Sequence, residues 1–301
     1  MEYDVIIIGG GPAGLTAAIY ATRYKLKTLV LSKTIGGTAA TAHKICNFPS
    51  YNEIKGFEIM KNFAEHVKYL GTEIVYNEVL EIKNQKKGFT VKTKKQEYSS
   101  KKIIFATGTN HLKLNIPGEG KFLGKGVSYC ATCDATFFKD KKVCVIGGGD
   151  AALTAALLLA EYSQEVYIIY RKKEFIRAEP SWIELVEKNK KIKTIFNEEI
   201  TEIIGNEKVE KVKLKNSKKE LSTQGVFIEI GSKPKTKLLD SLNIKKDSKG
   251  YLEVDKSQET NTKGLYAVGD VTNNQLKQII TASAEGAIAA FNCYKEIKKE
   301  K

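Results

Sequence analysis

Val5-Ile6-Ile7-Ile8-Gly9-Gly10-Gly11-Pro12-Ala13-Gly14 stands near the N-terminus, and a helical pattern from Leu15 to Arg23 follows it. The run of apolar residues predicts a buried parallel strand. The glycines permit a tight turn, close approach of a pyrophosphate and close helix packing, and the helix N-terminus offers free N–H groups to phosphates. We therefore predict a dinucleotide site whose contacts include Gly9, Gly11, Pro12, Ala13 and Gly14.

The same pattern occurs a second time in the middle of the chain. Val143-Cys144-Val145-Ile146 leads into another glycine-rich turn and a helix that reaches about Tyr162. One such turn could arise by chance, whereas two, each between a strand and a helix, predict two nucleotide-binding domains. The second turn contributes the expected nucleotide contacts Gly147, Gly149, Asp150, Ala151 and Ala152.

The residue that ends the second strand of such a domain contacts the ribose of the nucleotide and distinguishes a 2′-hydroxyl from a 2′-phosphate. In the first domain this residue is Ser32 rather than an acid, so the sequence leaves open whether Ser32 holds the ribose. In the second domain the strand is followed by Arg171 and Lys172, with Arg177 beyond. These cations suit a 2′-phosphate and favour NADPH over NADH. The alternative is that they are ordinary solvated side chains.

Cys130-Ala131-Thr132-Cys133-Asp134 lies between a glycine-rich segment, 109–126, and the second glycine turn. Two cysteines three residues apart can form a disulfide, and their thiols can attack other disulfides. The alternative interpretations are buried apolar cysteines or a zinc site, which would need about four ligands and a second pair. We predict a dithiol oxidoreductase that uses Cys130 and Cys133.

The 301 residues exceed the usual size of one core and predict two domains. The net charge is +14, but the basic residues are spread along the chain, so no nucleic-acid partner is expected. The excess could steer an acidic partner or an anionic cofactor. No apolar run approaches about 18 residues, and the five cysteines are an odd, sparse set, so we expect a soluble, unexported protein without a membrane span or disulfide framework.

Other segments follow strands or form loops at which a cofactor could lie. Asp270, after Gly269, stands at a strand end where a carboxylate can accept from a ribityl hydroxyl. A small antiparallel hairpin layer is expected from the strands Glu73 to Val79, Gly88 to Thr93 and Glu97-Tyr98. A second hairpin layer and a returning strand are expected from Lys193 to Phe196, Val209 to Leu214 and Gln224 to Ile230. The further candidate contacts are Gly37, Thr38, Asn47, Ala106, Thr107, Gly108 and Gly231.

With these motifs in this order, the chain resembles the low-molecular-weight thioredoxin reductases over nearly its whole length. Tyr129 to Phe137 and the C-terminal pattern from Tyr266 through Lys277-Gln278 carry the resemblance. It implies an α/β fold of two Rossmann-like three-layer ββα dinucleotide-binding domains, the second inserted in the first. It also implies a discontinuous FAD-binding domain, 1–113 and 244–301, and an NAD(P)H-binding domain, 114–243, that carries the cysteine pair.

The resemblance further implies that NADPH passes electrons through FAD and the dithiol to the disulfide of thioredoxin or a thioredoxin-like protein. It makes Cys133 the flavin-proximal sulfur, Cys130 the attacking sulfur and Asp134 the acid/base, in a cytoplasmic homodimer. The resemblance also places Asp270 near the ribityl chain of FAD, Gln278 in the closing segment and Asn47 close to the flavin. The other C-terminal residues expected to contact this cofactor are Gly269, Lys277 and Ile279.

Three positions depart from the family pattern. Thr38 replaces the common Gln, Lys277 replaces Arg, and Tyr170-Arg171-Lys172…Arg177 replaces a His-Arg-Arg…Arg cluster. Lysine cannot make the two-pronged contact of arginine to phosphate, so NADH use stays open. The alternative enzyme is an NADH-dependent or differently partnered reductase that serves a peroxiredoxin or glutaredoxin-like protein. An alternative of another class is a non-catalytic flavin- or nucleotide-sensing module.

Overall fold

The computed structural model describes residues 2–300 as a mixed α/β chain. Its strands are β1 (Glu2–Gly10), β2 (Thr28–Ile35), β3 (Glu73–Tyr76), β4 (Val79–Gln85), β5 (Gly88–Thr93), β6 (Glu97–Phe105), β7 (Thr109–His111), β8 (Val127–Ser128), β9 (Lys142–Ile146), β10 (Glu165–Tyr170), β11 (Ile192–Phe196), β12 (Ile200–Gly205), β13 (Val209–Leu214), β14 (Glu220–Ser222), β15 (Gly225–Ile228), β16 (Ser232–Pro234) and β17 (Leu265–Ala267).

The helices lie between these strands and at the C-terminal end. The α-helices are α1 (Pro12–Arg23), α2 (Gly56–Tyr69), α3 (Ala131–Asp134), α4 (Asp150–Tyr162), α5 (Pro180–Lys188) and α6 (Ile279–Lys299). Short 3₁₀ helices span Gly37–Thr41, Ala135–Phe138, Lys237–Leu242 and Gly269–Val271.

The chain divides into two compact units: unit 1 comprises residues 1–110 and 233–301, and unit 2 comprises residues 111–232. The chain passes from unit 1 to unit 2 at β7 and returns at β16, and these two strands pair as a two-stranded sheet. The chain returns to unit 1 between residues 232 and 233, earlier than the expected position between 243 and 244. The reason is that Leu239, in a 3₁₀ helix, is buried in the core of unit 1 together with Ile244 and Leu252.

Unit 1 contains a seven-stranded sheet in the order β3-β2-β1-β6-β5-β4, with β17 also paired to β6. Strands β4 and β5 form the expected antiparallel hairpin. The expectation for Glu73 was wrong, because β3 pairs parallel to β2. Helix α2 connects these two strands, and a helical crossover returns the chain in the same direction.

Alternating residues of β1 build the layers of unit 1. Val5 and Ile7 lie in a buried cluster with residues of α1, α2 and α6. Ile6 and Ile8 lie in a second cluster with hairpin residues such as Ile82 and Val91. Since successive side chains of a strand point to opposite faces, the parallel part of the sheet is covered by helices on one face and on the other by the hairpin β4–β5, which continues from the first half of β6.

Unit 2 repeats this plan with a five-stranded parallel sheet in the order β11-β10-β9-β15-β8 and a separate three-stranded antiparallel sheet, β12-β13-β14. Val143 and Val145 pack with α4, whereas Cys144 and Ile146 pack with residues of β12 and β13. The residues from Lys193 lie in β11 of the parallel sheet rather than in a hairpin layer. Two three-layer units, one inserted in the other, confirm the predicted fold class.

Candidate functional site

The two motif cysteines form a disulfide in unit 2. Cys130 is the N-cap of α3, and the backbone N–H of Cys133 donates to the Cys130 sulfur at 3.2 Å. The hydroxyl of Ser128 accepts from the Cys130 N–H at 3.0 Å. Cys133 is exposed and Cys130 is half-buried. A donor aimed at the Cys130 sulfur stabilises a thiolate there once the bond is reduced.

The segment that precedes the disulfide is anchored by a buried acid that the sequence analysis missed. Glu119 is 5% exposed and accepts from the phenol of Tyr129 and from the backbone N–H groups of Leu114 and Asn115. Burial and the neighbouring Glu119 raise the pKa of Tyr129 above its usual range. The only signal in the sequence was an acid within a glycine-rich segment.

The remaining cysteines are separate from this pair. Cys144 and Cys293 are buried, and Cys46 is exposed. Burial raises the pKa of Cys144 to about 12, so it is held as a neutral thiol. Within residues 2–300, no group of three or more His, Cys, Asp or Glu could hold a metal ion, and no helix is apolar enough over sufficient length to span a membrane.

The first glycine turn is closed on the protein side and open on the other. Gly9 has φ +120°, and a Cβ there would lie 2.1 Å from the Ala106 carbonyl oxygen. A Cβ on Gly14 would lie 2.0 Å from the Gly9 oxygen. At Gly11, by contrast, a Cβ would meet no atom within 4 Å. Pro12 begins α1 and no side chain caps it, so the turn fits a phosphate-bearing cofactor.

A carboxylate without a donor stands near the start of α6. Burial raises the pKa of Asp270, opposed by the charge of Lys277, and no side chain among the described residues donates to its carboxylate. The Lys277 ammonium donates to the carbonyls of Asp270 at 3.2 Å and Thr272 at 2.6 Å, and it lies 4.1 Å from the centroid of the Tyr251 ring. A half-buried carboxylate with free acceptors fits a ligand that carries hydroxyl groups.

Glu285, on α6, positions this carboxylate and was also missed as a site residue. Its side chain accepts from the Gly269 N–H at 2.6 Å. Gly269 has φ +76°, which favours glycine, so the bond holds the turn that presents Asp270. Burial raises the pKa of Glu285. The signal available in the sequence was an acidic residue within a helix that is otherwise rich in Ala and Gly.

Other predicted contacts of unit 1 are placed as follows. The Asn47 amide donates to the Gln278 side chain at 3.2 Å, and Ile279 begins α6 directly afterwards. The Ser32 hydroxyl donates to the Thr34 carbonyl, so it can still accept from a ribose.

The loops around the first glycine turn contain the remaining predicted contacts. Gly37 and Thr38 begin a 3₁₀ helix, and a Cβ on Gly37 would lie 3.6 Å from Gly11. Ala106 is buried, the Thr107 hydroxyl donates to the Lys235 carbonyl, and the Gly108 carbonyl accepts from the Lys235 N–H.

The second glycine turn has the same construction. A Cβ on Gly147 would lie 2.2 Å from the Glu229 carbonyl oxygen, and one on Gly148 would reach the Tyr170 ring at 2.5 Å. Gly149 faces open space. Asp150 begins α4, and its carboxylate accepts from the Glu179 N–H at 2.7 Å, so the loop after β10 is held to the turn.

The three predicted phosphate-binding cations are free of ion pairs within residues 2–300. Arg171, Lys172 and Arg177 are exposed after the end of β10, and none has an ion pair within the described chain. Ala151 is exposed and Ala152 is buried, as the first turn of α4 requires. Gly231 accepts from the Leu112 N–H at the edge of unit 2. The cations and the turn lie at the carboxyl edge of one parallel sheet, where such folds bind nucleotides.

Comparisons with known proteins agree with this architecture. A family model described as pyridine nucleotide-disulphide oxidoreductase matches residues 3–286. A thioredoxin reductase of Treponema pallidum (strain Nichols) is 42% identical, with 96% of this chain and 95% of that protein covered. The crystal structure of Lactococcus lactis thioredoxin reductase in its FR conformation is 39% identical with a TM-score of 0.96, and 99% of each chain is covered. The crystal structure of T. acidophilum thioredoxin reductase is 37% identical with a TM-score of 0.94 and the same coverage.

Proposed function

This chain is a pyridine nucleotide-disulphide oxidoreductase of the low-molecular-weight thioredoxin reductase group, and from that premise we propose that it carries electrons from NADPH through FAD to the disulfide of thioredoxin or a thioredoxin-like protein. The observation that carries the proposal is the Cys130–Cys133 disulfide, in which Cys130 is half-buried and Cys133 is exposed. It lies in the unit that also contains the second glycine turn.

Two sites on the chain fit the two cofactors. Around the open face of Gly11 and the free carboxylate of Asp270, FAD would be held by the helix N-terminus and by an acceptor for its ribityl hydroxyls. Around Gly149 and Arg171, the phosphates of the nicotinamide nucleotide would be held. A bound flavin supplies the chemistry of taking hydride from a nicotinamide and giving two electrons to a disulfide.

The dithiol does the remaining chemistry. Two electrons and two protons convert the Cys130–Cys133 disulfide into two thiols. The Cys130 thiolate, stabilised by the Cys133 N–H, attacks a sulfur of the substrate disulfide and releases the other as a thiolate. Cys133 then attacks Cys130 in the mixed disulfide, which restores the intramolecular bond and releases the second substrate thiol. Asp134, next to Cys133 on α3, supplies and removes protons.

One observation favours a second electron donor. The 2′-phosphate of NADPH would meet Arg171, Lys172 and Arg177 after β10. Lysine makes a weaker, single-point contact to phosphate than arginine does. NADH is therefore the alternative donor, with peroxiredoxin or glutaredoxin-like proteins as alternative partners. A cytoplasmic homodimer stays a prediction from the resemblance.

Anaerobic titration tests the proposal. Purified protein loaded with FAD should lose its flavin absorbance on addition of NADPH, and it should then reduce thioredoxin in an insulin-reduction assay. A second titration with NADH ranks the two donors. A protein that does not take up FAD, or whose flavin neither donor bleaches, would contradict the proposed function.

A further inference from the structure

Glu229 is an acid in an otherwise apolar strand segment, Val226-Phe227-Ile228-Glu229-Ile230. It follows the last residue of β15, and its N–H donates to the Ile146 carbonyl at 2.8 Å. Its own carbonyl oxygen lies against Gly147, the first glycine of the second turn. Glu229 therefore stands at the carboxyl edge of the parallel sheet, directly beside the nucleotide turn.

The side chain of Glu229 lies on the helix-covered face of the sheet. Phe227 packs in the cluster that contains α4, whereas Val226 and Ile228 pack in the cluster on the opposite face. Because side chains alternate along a strand, residue 229 shares the face of Phe227. This is the face on which α4 begins and on which phosphates would meet its N-terminus.

The Glu229 carboxylate has no partner. Residues 2–300 provide neither a hydrogen-bond donor nor a cation for it, and the side chain is half-buried. Burial alone raises the pKa of Glu229 to about 8. The charged groups on the adjoining elements are engaged elsewhere: Lys142, at the far end of β9, pairs with Glu165, and Asp150 of α4 accepts from Glu179.

The order of the strands indicates which part of a nucleotide would lie here. The cations that suit a 2′-phosphate follow β10, the glycine turn follows β9, and Glu229 follows β15 on the other side. A dinucleotide with its adenosine half over β10 and its pyrophosphate over the turn extends its nicotinamide half toward β15. A carboxylate accepts readily from neighbouring ribose hydroxyls.

We propose that Glu229 binds the nicotinamide half of the electron donor by accepting hydrogen bonds from its ribose hydroxyls. This inference rests on the proposed function, because it requires a nicotinamide nucleotide at the second glycine turn. The ligand supplies the donors that the chain itself lacks at this carboxylate.

The test compares whole nucleotides with a fragment that lacks the nicotinamide half. Binding of NADP⁺, NAD⁺ and 2′,5′-ADP to the FAD-loaded protein is measured by calorimetry for the wild type, Glu229→Ala and Glu229→Gln. Glu207→Gln, in the exposed turn between β12 and β13, is the matched control. Far-UV circular dichroism and flavin content verify the fold of each variant.

At pH 9, where the carboxyl is ionised, Glu229→Ala should weaken NADP⁺ and NAD⁺ binding about tenfold, the usual effect of losing hydrogen bonds to a charged group, and leave 2′,5′-ADP unchanged. Glu229→Gln, which keeps one acceptor, should show a smaller loss. Removal of a negative charge by itself would strengthen binding of all three anions, so a selective loss identifies the contact. In the wild type, affinity for NAD⁺ should rise with pH between 6.5 and 9 as the carboxyl ionises, and in Glu229→Gln it should stay level.

Equal effects on all three ligands, or no effect on NADP⁺ and NAD⁺, would overturn the inference and leave the proposed function standing. Failure of the wild type to bind any of the three ligands would instead overturn the proposed function, and with it the inference.

Discussion

The phenol of Tyr129 donates to the buried carboxylate of Glu119 at 2.5 Å, immediately before the redox-active disulfide. The same carboxylate accepts from two backbone N–H groups, so it joins the residue that precedes Cys130 to the segment that enters unit 2. The position of the cysteine turn thus depends on an acid in the segment that precedes it.

Loss of this bond should destabilise unit 2. Tyr129→Phe removes one donor from a buried carboxylate and should lower the free energy of unfolding by about 1.5–3 kcal/mol, measured by urea denaturation. Glu119→Ala should be more damaging, because three donors then lose their acceptor. Equal stability of Glu119→Ala and the wild type would contradict this role.

Substitution of either motif cysteine should separate the two halves of the reaction. Cys133→Ser and Cys130→Ser should still lose flavin absorbance with NADPH, since neither change touches the first glycine turn, but should not reduce thioredoxin. Cys46→Ser, at an exposed free cysteine, is the control and should retain activity. Retained thioredoxin reduction by Cys133→Ser would be incompatible with the assigned dithiol.

The free carboxylate of Asp270 should contribute to flavin retention. Asp270→Asn keeps one acceptor but loses the charge, so we expect about tenfold weaker FAD binding, measured by the fluorescence of released flavin. Asp240→Asn removes an exposed carboxylate that pairs with Lys246, and it should leave FAD binding unchanged. The same affinity in both variants would show that Asp270 does not contact the cofactor.

The lysine among the cations after β10 should limit selection of the 2′-phosphate. Lys172→Arg should lower the KM for NADPH several-fold and leave that for NADH unchanged, because arginine binds phosphate through two N–H groups. Lys173→Arg, at a residue that pairs with Glu174, is the matched control. A parallel change in the KM values for both nucleotides would indicate a general electrostatic effect.

The titration of Glu229 should appear in the stability of the nucleotide-free protein. Its pKa is raised from 4.5 to about 8 in the folded state, so folding favours the protonated form. Its contribution to stability is therefore complete below about pH 4.5 and is lost as the pH rises through 8. Relative to the wild type, Glu229→Gln should be increasingly more stable from pH 5 to 9 in thermal unfolding. An identical pH dependence of Tm in the two proteins would refute this assignment.

Local patterns were sufficient for the framework of this protein. A strand, a glycine turn and a helix need only neighbouring residues, so Val5 to Gly14 and Val143 to Ala152 predicted both nucleotide folds. The disulfide likewise follows from a spacing of three residues. The domain boundary near 243 stays a prediction, and the compact units of the structure change between residues 232 and 233, because Leu239 packs in the core of unit 1.

By itself, the sequence determined the two dinucleotide folds and the identity of the cysteine pair, because each depends on the order and spacing of nearby residues. The insertion of one fold in the other was implied by the family resemblance alone. Only the tertiary structure decided the roles of Glu119, Glu229 and Glu285. Glu119 and Glu285 accept from residues 4 to 16 positions away, at spacings that no helix or strand pattern predicts. Whether such a carboxylate is satisfied, as Glu119 is, or unpartnered, as Glu229 is, depends on which donors folding brings within hydrogen-bond distance.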